Sequence, residues 1–419
     1  MQTLIIGGGL SGLAVAAVLV ERGEQVRVVE AREGVALETS FANAGMLTPS
    51  LPEPWNGPGV HRHLAASLFG GHQSMQVRWR TLPSLMRWGI AFLRNSSAPR
   101  FQAAVLDNFA LASYSRGKTL ALVERFGSRY TLLDSGTLCV YRHADEMVER
   151  REICELLGDN GLEWREVGRD EIAELEPALA DVANELAGAF WLPGDAVGDA
   201  HLFCRELEQD ILQGGGEIDT GIEVNGFVHK NGKVSGVDTN RGRIDAGRVV
   251  VAAGSHSTGL LRQLDLALPV QPAKGLSLTF DCAGMHGLPG VAILDEASHA
   301  VISPFTDRVR VVGSAEFAGF DKSIADKRMD YLFESLAALL PGLVAKVDRA
   351  AATPWAGLRP MSSDGRPHIG ATGIDGLYVN AGHGALGWTM AMGSAHLLAD
   401  LLTGTPPEID HRPFLPFRY

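Results

Sequence analysis

The feature that most restricts the fold stands at the start of the chain, in "TLIIGGGLSGLAVAAVLVERGEQVRVVEAR". It reads as a buried strand, a glycine turn, a helix and a second strand. Leu4, Ile5 and Ile6 make the first strand. Leu13, Ala16, Ala17 and Val20 recur at helical spacing, and Gly23 ends the helix. Val26, Val28 and Val29 begin the second strand, which closes at Glu30. Gly7, Gly9 and Gly12 fit G-x-G-x-x-G. They serve in turn the tight corner, the close approach of backbone to a pyrophosphate, and the close packing of helix on sheet. The helix N-terminus offers unpaired N–H groups and partial positive charge to phosphates. Glu30 stands where a carboxylate can accept ribose hydroxyls. The bare glycine pattern would also suit a plain loop, but the flanking strand, the helix and the terminal acid agree on a dinucleotide site, for NAD or FAD.

A Rossmann domain built for NAD would continue with further strand–helix units. This chain runs instead into "ETSFANAGMLTPSLPEPWNGPG", a small-residue and proline-rich segment expected to hold little regular structure. The strand–glycine pattern returns in "RGRIDAGRVVVAAGSHS", ending at Gly254, and again in "GLYVNAGHGALGWTMAMGSAHLLADLLTG". There a short buried strand meets the glycine-flanked His383, and an apolar helix follows and stops at Gly404. A cofactor fold assembled from distant segments suits a long, two-ended ligand, so FAD is the expectation. One helix N-terminus, after Gly12, would hold the pyrophosphate. The other, beginning between Gly384 and Thr389, would face the flavin ring. A helix N-terminus stabilises a nearby anion by ~0.3–1 kcal/mol, and by up to about 2 when partly buried. The glycines let backbone approach the ring. The same corner would equally serve as helix–strand packing with His383 idle.

Bulk properties bound the function. At 419 residues the chain has room for two domains. Its 46% hydrophobic and 21% charged content is that of a globular protein. A net charge of −12 speaks against nucleic acid as partner. Cys139, Cys154, Cys204 and Cys282 are scattered without a C-x-x-C pair, which disfavours a metal site or a disulfide framework and suits a reducing compartment. No signal-like segment precedes the first strand and no apolar run is long enough for a bilayer, so a cytoplasmic location is expected.

With these residues in hand, the chain resembles the FAD-dependent D-amino-acid oxidase (DAO) superfamily, and within it the bacterial D-amino-acid dehydrogenase small-subunit branch. The likeness runs in order through "GGGLSG", "ALETSFANAG", "SGTL", "LPGDAVGD", "VVVAAGSHS", "PAKGLSLTF", "WAGLRPMSSDGRPHIG" and "NAGHGALGWTMAMGS". It implies an α/β fold in which a Rossmann-type, glutathione-reductase-like FAD domain is interwoven with an antiparallel-sheet α+β substrate domain. It implies FAD contacts at Gly7, Gly9, Gly12, Glu30 and Arg32, then at Ser40, Asn43, Ala44, Gly45 and Met46, with Val224 at the adenine side and Gly254. Gly382, His383, Gly384, Gly387, Trp388 and Thr389 would lie beside the ring. No cysteine sits in these motifs, so the FAD should be held noncovalently. One departure is Leu276, where an aromatic residue is expected after the glycine of "PAKGLSL".

Arg359 lies between Leu358 and Pro360, and the proline favours an extended backbone before it. A buried arginine needs a counter-charge. From the residues alone, that charge is either Asp364 or a ligand. The resemblance implies the second: the arginine of "GLRP" grips a substrate carboxylate with two parallel bonds and fixes which face of the α-carbon meets the ring. Orientation is then the main contribution to oxidising a D-amino acid to a 2-oxo acid and ammonia. His383 is the other candidate at the reacting centre, expected to donate a hydrogen bond or pack rather than act as a base. The expected acceptor is a quinone or another non-oxygen carrier. The alternatives are a D-proline or hydroxy-D-proline dehydrogenase, or an oxidase of the same superfamily.

Residues 1–60, 190–262 and 352–419 are expected to build the FAD-binding part, and 61–189 with 263–351 the substrate part. "LSLTF", "AVISPF" and "RVRVVGSAEF" alternate as antiparallel strands do, and "IADKRMDYLFESLAALLPGL" reads as an amphipathic helix. The proline-rich segment from Thr48 to Gly59 would be a lid or a static surface loop. Between Pro54 and Leu106 there is no acidic residue, while Arg62, Arg78, Arg80, Arg87, Arg94 and Arg100 are joined by Trp55, Trp79, Trp88 and Phe92. That composition suits the surface of an anionic bilayer, with peripheral contact through residues 55–100 at the inner face of the cytoplasmic membrane. The alternative is that these arginines pair with acids elsewhere in the fold.

Overall fold

The structure, a computed structural model, describes residues 2–61 and 75–418. β1 (Thr3–Ile6) and β2 (Val26–Glu30) pair in parallel, with α1 (Leu10–Glu21) crossing over between them. Their sheet has six strands in the order 217–220, 26–30, 3–6, 248–251, 377–381 and 368–371. All pairs are parallel except the last. Ile5 stands beside Val250, and Val250 beside Tyr378. Three remote stretches therefore make one dinucleotide sheet. Its central strands are runs of Val, Leu and Ile because both faces are covered, as parallel sheets require.

α2 (Leu82–Arg94) and α3 (Ala98–Phe126) follow. α3 lies within the 61–189 stretch grouped above with the substrate part, yet its apolar face turns the other way. Leu111, Ala112, Leu122 and Phe126 join Leu13, Phe203 and Trp388 in a single core on the dinucleotide side.

The second large sheet has nine strands. Its path is 353–362, 270–281, 308–317, 300–304, 292–295, 137–141, 188–192 and 165–168, with 75–77 beside 308–317. Three of these matter below: β3 (Val270–Asp281), β4 (Arg308–Phe317) and β5 (Thr353–Ser362). β5 falls in the 352–419 stretch grouped with the FAD-binding part, but it pairs with β3 from Val270↔Ser362 to Thr279↔Thr353 and so belongs to this roof sheet. The β3–β4 ladder is broken once: Lys274 faces Glu316 and Leu276 faces Gly313, so Ser314 and Ala315 both oppose Gly275. This is a β-bulge.

Late in the chain comes α4 (Gly387–Thr403), which is apolar almost all round because α1, α3 and the sheet enclose it. Gly393 of α4 touches α3 so closely that a Cβ there would lie 2.7 Å from the Ser115 Cβ. α4 stops at Gly404 in the left-handed conformation, φ +73.

Candidate active site

The two sheets enclose a cavity of about 1140 Å³, which runs from the Val224 end past Gly9 and Asn43 to His383 and Arg359. At its dinucleotide end the glycines divide their labour. A Cβ on Gly7 (φ +114) would lie 2.6 Å from the Ala252 carbonyl oxygen, and one on Gly12 would lie 1.9 Å from that of Gly7. These two are fixed by the turn and by helix–sheet contact. A Cβ on Gly9 would meet only Ser40 Oγ, at 3.8 Å, so this glycine leaves open the space over the α1 N-terminus. Ser40 Oγ accepts the Leu10 N–H at 3.2 Å.

Glu30 is held by backbone: Oε2 accepts from Gly8 N at 2.7 Å and Oε1 from Arg32 N at 2.8 Å. Each oxygen keeps a lone pair, which a ribose hydroxyl could use. The Arg32 head group pairs with Glu38 at the same rim. Val224 lines the far end with Ile222 and Glu223, and Gly254 (φ +52) lines the wall between.

The "ANAG" loop forms the middle of the cavity. Asn43 Oδ1 accepts from Gly45 N at 2.9 Å, and its carbonyl accepts from Arg310 Nη1 at 2.7 Å. Gly45 (φ +71) has no room for a Cβ beside the Phe305 ring, which would lie 2.7 Å away. Ala44 and Met46 continue the lining. The last helix is sewn to this loop. Trp388 Nε1 donates to Gly45 O at 3.1 Å, and Thr389 Oγ accepts from Thr48 N at 3.0 Å. The two ends of the chain thus share one wall.

His383, Gly384, Gly387 and Trp388 line the cavity, whereas Gly12, Gly382 and Thr389 support it from behind. His383 Nε2 shares a hydrogen bond with Ser394 Oγ at 2.9 Å. Burial draws its pKa down to about 4, so the imidazole is neutral at physiological pH. With that nitrogen already bonded, this geometry supplies a wall and offers no support for a base.

At the other end stands Arg359. Its Nη1 donates to Ser314 O at 2.9 Å, and its Cζ sits 5.6 Å from the centroid of the Trp55 ring. Among the described residues no carboxylate pairs with it. Asp364, the alternative partner, is taken: it accepts from Arg418 Nη2 at 2.7 Å and from Ser362 Oγ at 2.9 Å. The Arg359 side chain faces the cavity yet is enclosed by protein, and burial alone draws its pKa down to about 10. It remains a cation at neutral pH, with no anion beside it.

The segment from Thr48 to Gly59 is neither a lid nor a surface loop in its first half. Ser50 Oγ donates to Asp195, Asn108 Nδ2 donates to Pro52 O at 3.0 Å, and Asn56 lies buried against Ser363. It is a fixed wall, and it carries Trp55. Sequence reasoning missed the roles of Trp55, Gly275, Ser314 and Arg310. Only Gly275 left a signal, as a glycine inside a strand, which marks a close approach. Leu276, the departure noted above, is buried and lines the cavity.

The residues fit FAD: a helix N-terminus whose N-cap is a glycine with no side chain, a cradle kept open by Gly9, an anchored acid, and one cavity joining both helix ends. The chain matches the family described as FAD dependent oxidoreductase (DAO) over residues 2–401. It belongs to that family. The oxidoreductase is 37% identical over 411 residues to D-amino acid dehydrogenase of Chromohalobacter salexigens, covering 98% of this chain and 97% of that one. It is 38% identical over 420 residues to D-amino acid dehydrogenase of Methylobacterium nodulans, covering 100% and 99%. Its fold is shared with L-proline dehydrogenase from P. horikoshii, with a TM-score of 0.79 over 100% of this chain and 97% of that one, at 19% identity. The cofactor of the family is FAD. All four cysteines are buried and none lines the cavity, so no thiol is placed to tether it.

Proposed function

We propose that this oxidoreductase converts D-amino acids to 2-oxo acids and ammonia, passing the electrons to an acceptor other than oxygen. The carrying observation is Arg359, a cation enclosed at the cavity wall with a carbonyl and a ring for neighbours and no anion. Bound FAD supplies the two-electron acceptor for the substrate's Cα–H bond. Gly7, Gly9, Glu30, Ser40 and the 383–388 corner would hold it. Arg359 takes the substrate carboxylate in two parallel bonds, which leaves the α-carbon little freedom to turn. The enclosing walls, Trp55 and Leu276 among them, keep water from competing for the guanidinium. His383 stays neutral and holds the wall through Ser394. The imino acid that leaves adds water and loses ammonia in solution. The D preference rests on the relatives.

The test is anaerobic bleaching of the bound flavin by D-alanine, D-proline and L-alanine. Bleaching by the D forms alone supports the reading, with D-proline the fastest if a cyclic amine is the true substrate. Bleaching by L-alanine alone overturns it. Slow return of colour in air supports a dehydrogenase, and fast return an oxidase.

For the acceptor, the outer face of α2 favours a quinone reached at a membrane. Trp79 and Met86 are 72% and 65% exposed, and Leu82, Ile90 and Leu93 continue their stripe along the helix. Among the described residues, Arg80, Arg87 and Arg94 have no carboxylate partner. Arg78 does, pairing with Glu316 and Asp321. Arg100 donates to the Arg94 carbonyl, and Arg62 lies outside the described residues. An apolar stripe flanked by unpaired arginines matches an anionic bilayer, where each arginine contributes roughly 1 kcal/mol. No described helix is long and apolar enough to cross it. The chain would then work at the inner face of the cytoplasmic membrane. Met86→Glu with Ile90→Glu should abolish salt-sensitive sedimentation with anionic vesicles and leave turnover with a soluble dye within about twofold, since both side chains are exposed. Equal sedimentation of the variant and the parent refutes docking.

A further inference from the structure

We propose that Gly275 and the bulged main chain at Ser314 form a seat that holds the Arg359 guanidinium flat and aims it at a single carboxylate. The inference rests on Arg359 being the carboxylate grip, and it assigns two positioning residues that act through Arg359. The seat is built from three adjacent strands. Arg359 on β5 stands directly opposite Ala273 on β3, so Gly275 is its diagonal neighbour on the same face. The side chain crosses β3 at Gly275 and ends at Ser314 on β4.

The crossing requires the absence of a side chain. A Cβ on Gly275 would lie 2.4 Å from Nη1, 2.5 Å from Cζ and 2.7 Å from Nη2 of Arg359. Contacts that close to all three atoms mean that the guanidinium plane lies on the bare backbone. Trp55 lies against the same guanidinium, its ring centroid 5.6 Å from Cζ.

The far end requires an acceptor where a regular ladder would not offer one. Two residues of β4 oppose Gly275, and the first, Ser314, has φ +67, a left-handed conformation that a serine rarely adopts. Its carbonyl accepts from Nη1 at 2.9 Å. Bulges beside active sites commonly re-aim a group, and strain there is kept when the surroundings demand it. The chemistry of the acceptor also matters. A carboxylate in this place would orient the guanidinium but neutralise it and compete with the substrate. A carbonyl orients it and leaves its charge available.

The test compares D-alanine with D-alaninamide, which lacks the carboxylate, in the holoenzyme and in flavin-loaded Gly275→Ala, Arg359→Lys and the double variant. Gly275→Ala should raise KM for D-alanine about tenfold or more with a smaller fall in kcat, and raise it for the amide less than about twofold. In the Arg359→Lys background the same substitution should cost less than about threefold, because the planar fork is gone. Ser314→Pro, whose ring forbids φ +67, is an independent route to the seat and should give the same selective rise for D-alanine. Ser314→Gly keeps that φ without strain and should raise KM at most about threefold. Equal losses on acid and amide in flavin-loaded Gly275→Ala or Ser314→Pro, or an undiminished Gly275→Ala effect in the Arg359→Lys background, overturn the seat. If Arg359→Lys itself leaves the acid-to-amide ratio unchanged, the carboxylate grip has failed and the seat with it. If Arg359→Lys collapses the ratio while Gly275→Ala does not, only the seat fails.

Discussion

Arg359 and Asp364 lie on one short stretch of chain, and the fold sends them to opposite electrical fates. Asp364 is closed: Arg418 bonds it twice, at 2.8 and 2.7 Å, and Ser362 adds a hydroxyl. Arg359 is open, held by a carbonyl and a ring but by no anion. A closed buried pair resists being broken, because removing one partner strands the other in low dielectric. An open cation in a cavity wall has had its water partly removed and its counter-charge left for a ligand to bring. The contrast separates the part of this motif that is internally paired from the part left available to a ligand.

The largest expected effect comes from removing the open charge. Arg359→Ala should cut kcat/KM for D-alanine roughly a thousandfold, about 4 kcal/mol, while flavin content and thermal midpoint stay near those of the parent. A large loss of stability would erase the distinction. Next comes the closed centre. Asp364→Asn should cost about 3 kcal/mol of folding stability by leaving Arg418 without its anion, and steady-state kinetics should show KM for D-alanine within about twofold. A selective rise in KM would make the closed centre part of the binding site.

The smallest effect is a pH dependence shared by both regions. His368 beside Asp364 and His383 in the cavity wall have their pKa values lowered by burial, His368 well below the ordinary value and His383 to about 4. The folded protein keeps both neutral, whereas the unfolded chain protonates near 6.5, so the unfolded state binds more protons below that pH. The contribution of these two histidines is therefore full above about pH 6.5 and is lost as the pH drops toward 4. The thermal midpoint of His383→Gln relative to the parent should rise as the pH falls through that range. A curve unchanged by His383→Gln would mean that this histidine is not held neutral.

Legibility followed locality. Gly7, Gly9 and Gly12 were readable because the turn, the open space over the helix N-terminus and the packing contact all arise within a dozen residues. The roof strands were readable from alternation. The counter-charge of Arg359 was not, because that question depends on where Arg418 lands at the far end of the chain. Gly275 stands in a recognisable motif, but its role is set by an arginine on another strand. The proline-rich wall has no period to read, and its ties to Asn108, Asp195 and Ser363 come from three separate regions. α3 falls in the 61–189 stretch yet packs on the dinucleotide side, because the spacing of apolar residues on a helix shows that a face is buried, not against what.

The seam from Trp388 to Gly45 also imposes an order in time. Translation delivers the first glycine turn early and the wall that completes it late. Until the final helix leaves the ribosome, the amino-terminal half owns an unfinished cradle. Loading with the yellow cofactor should therefore wait for this helix, and a nascent chain arrested before Trp388 should remain colourless however long it waits.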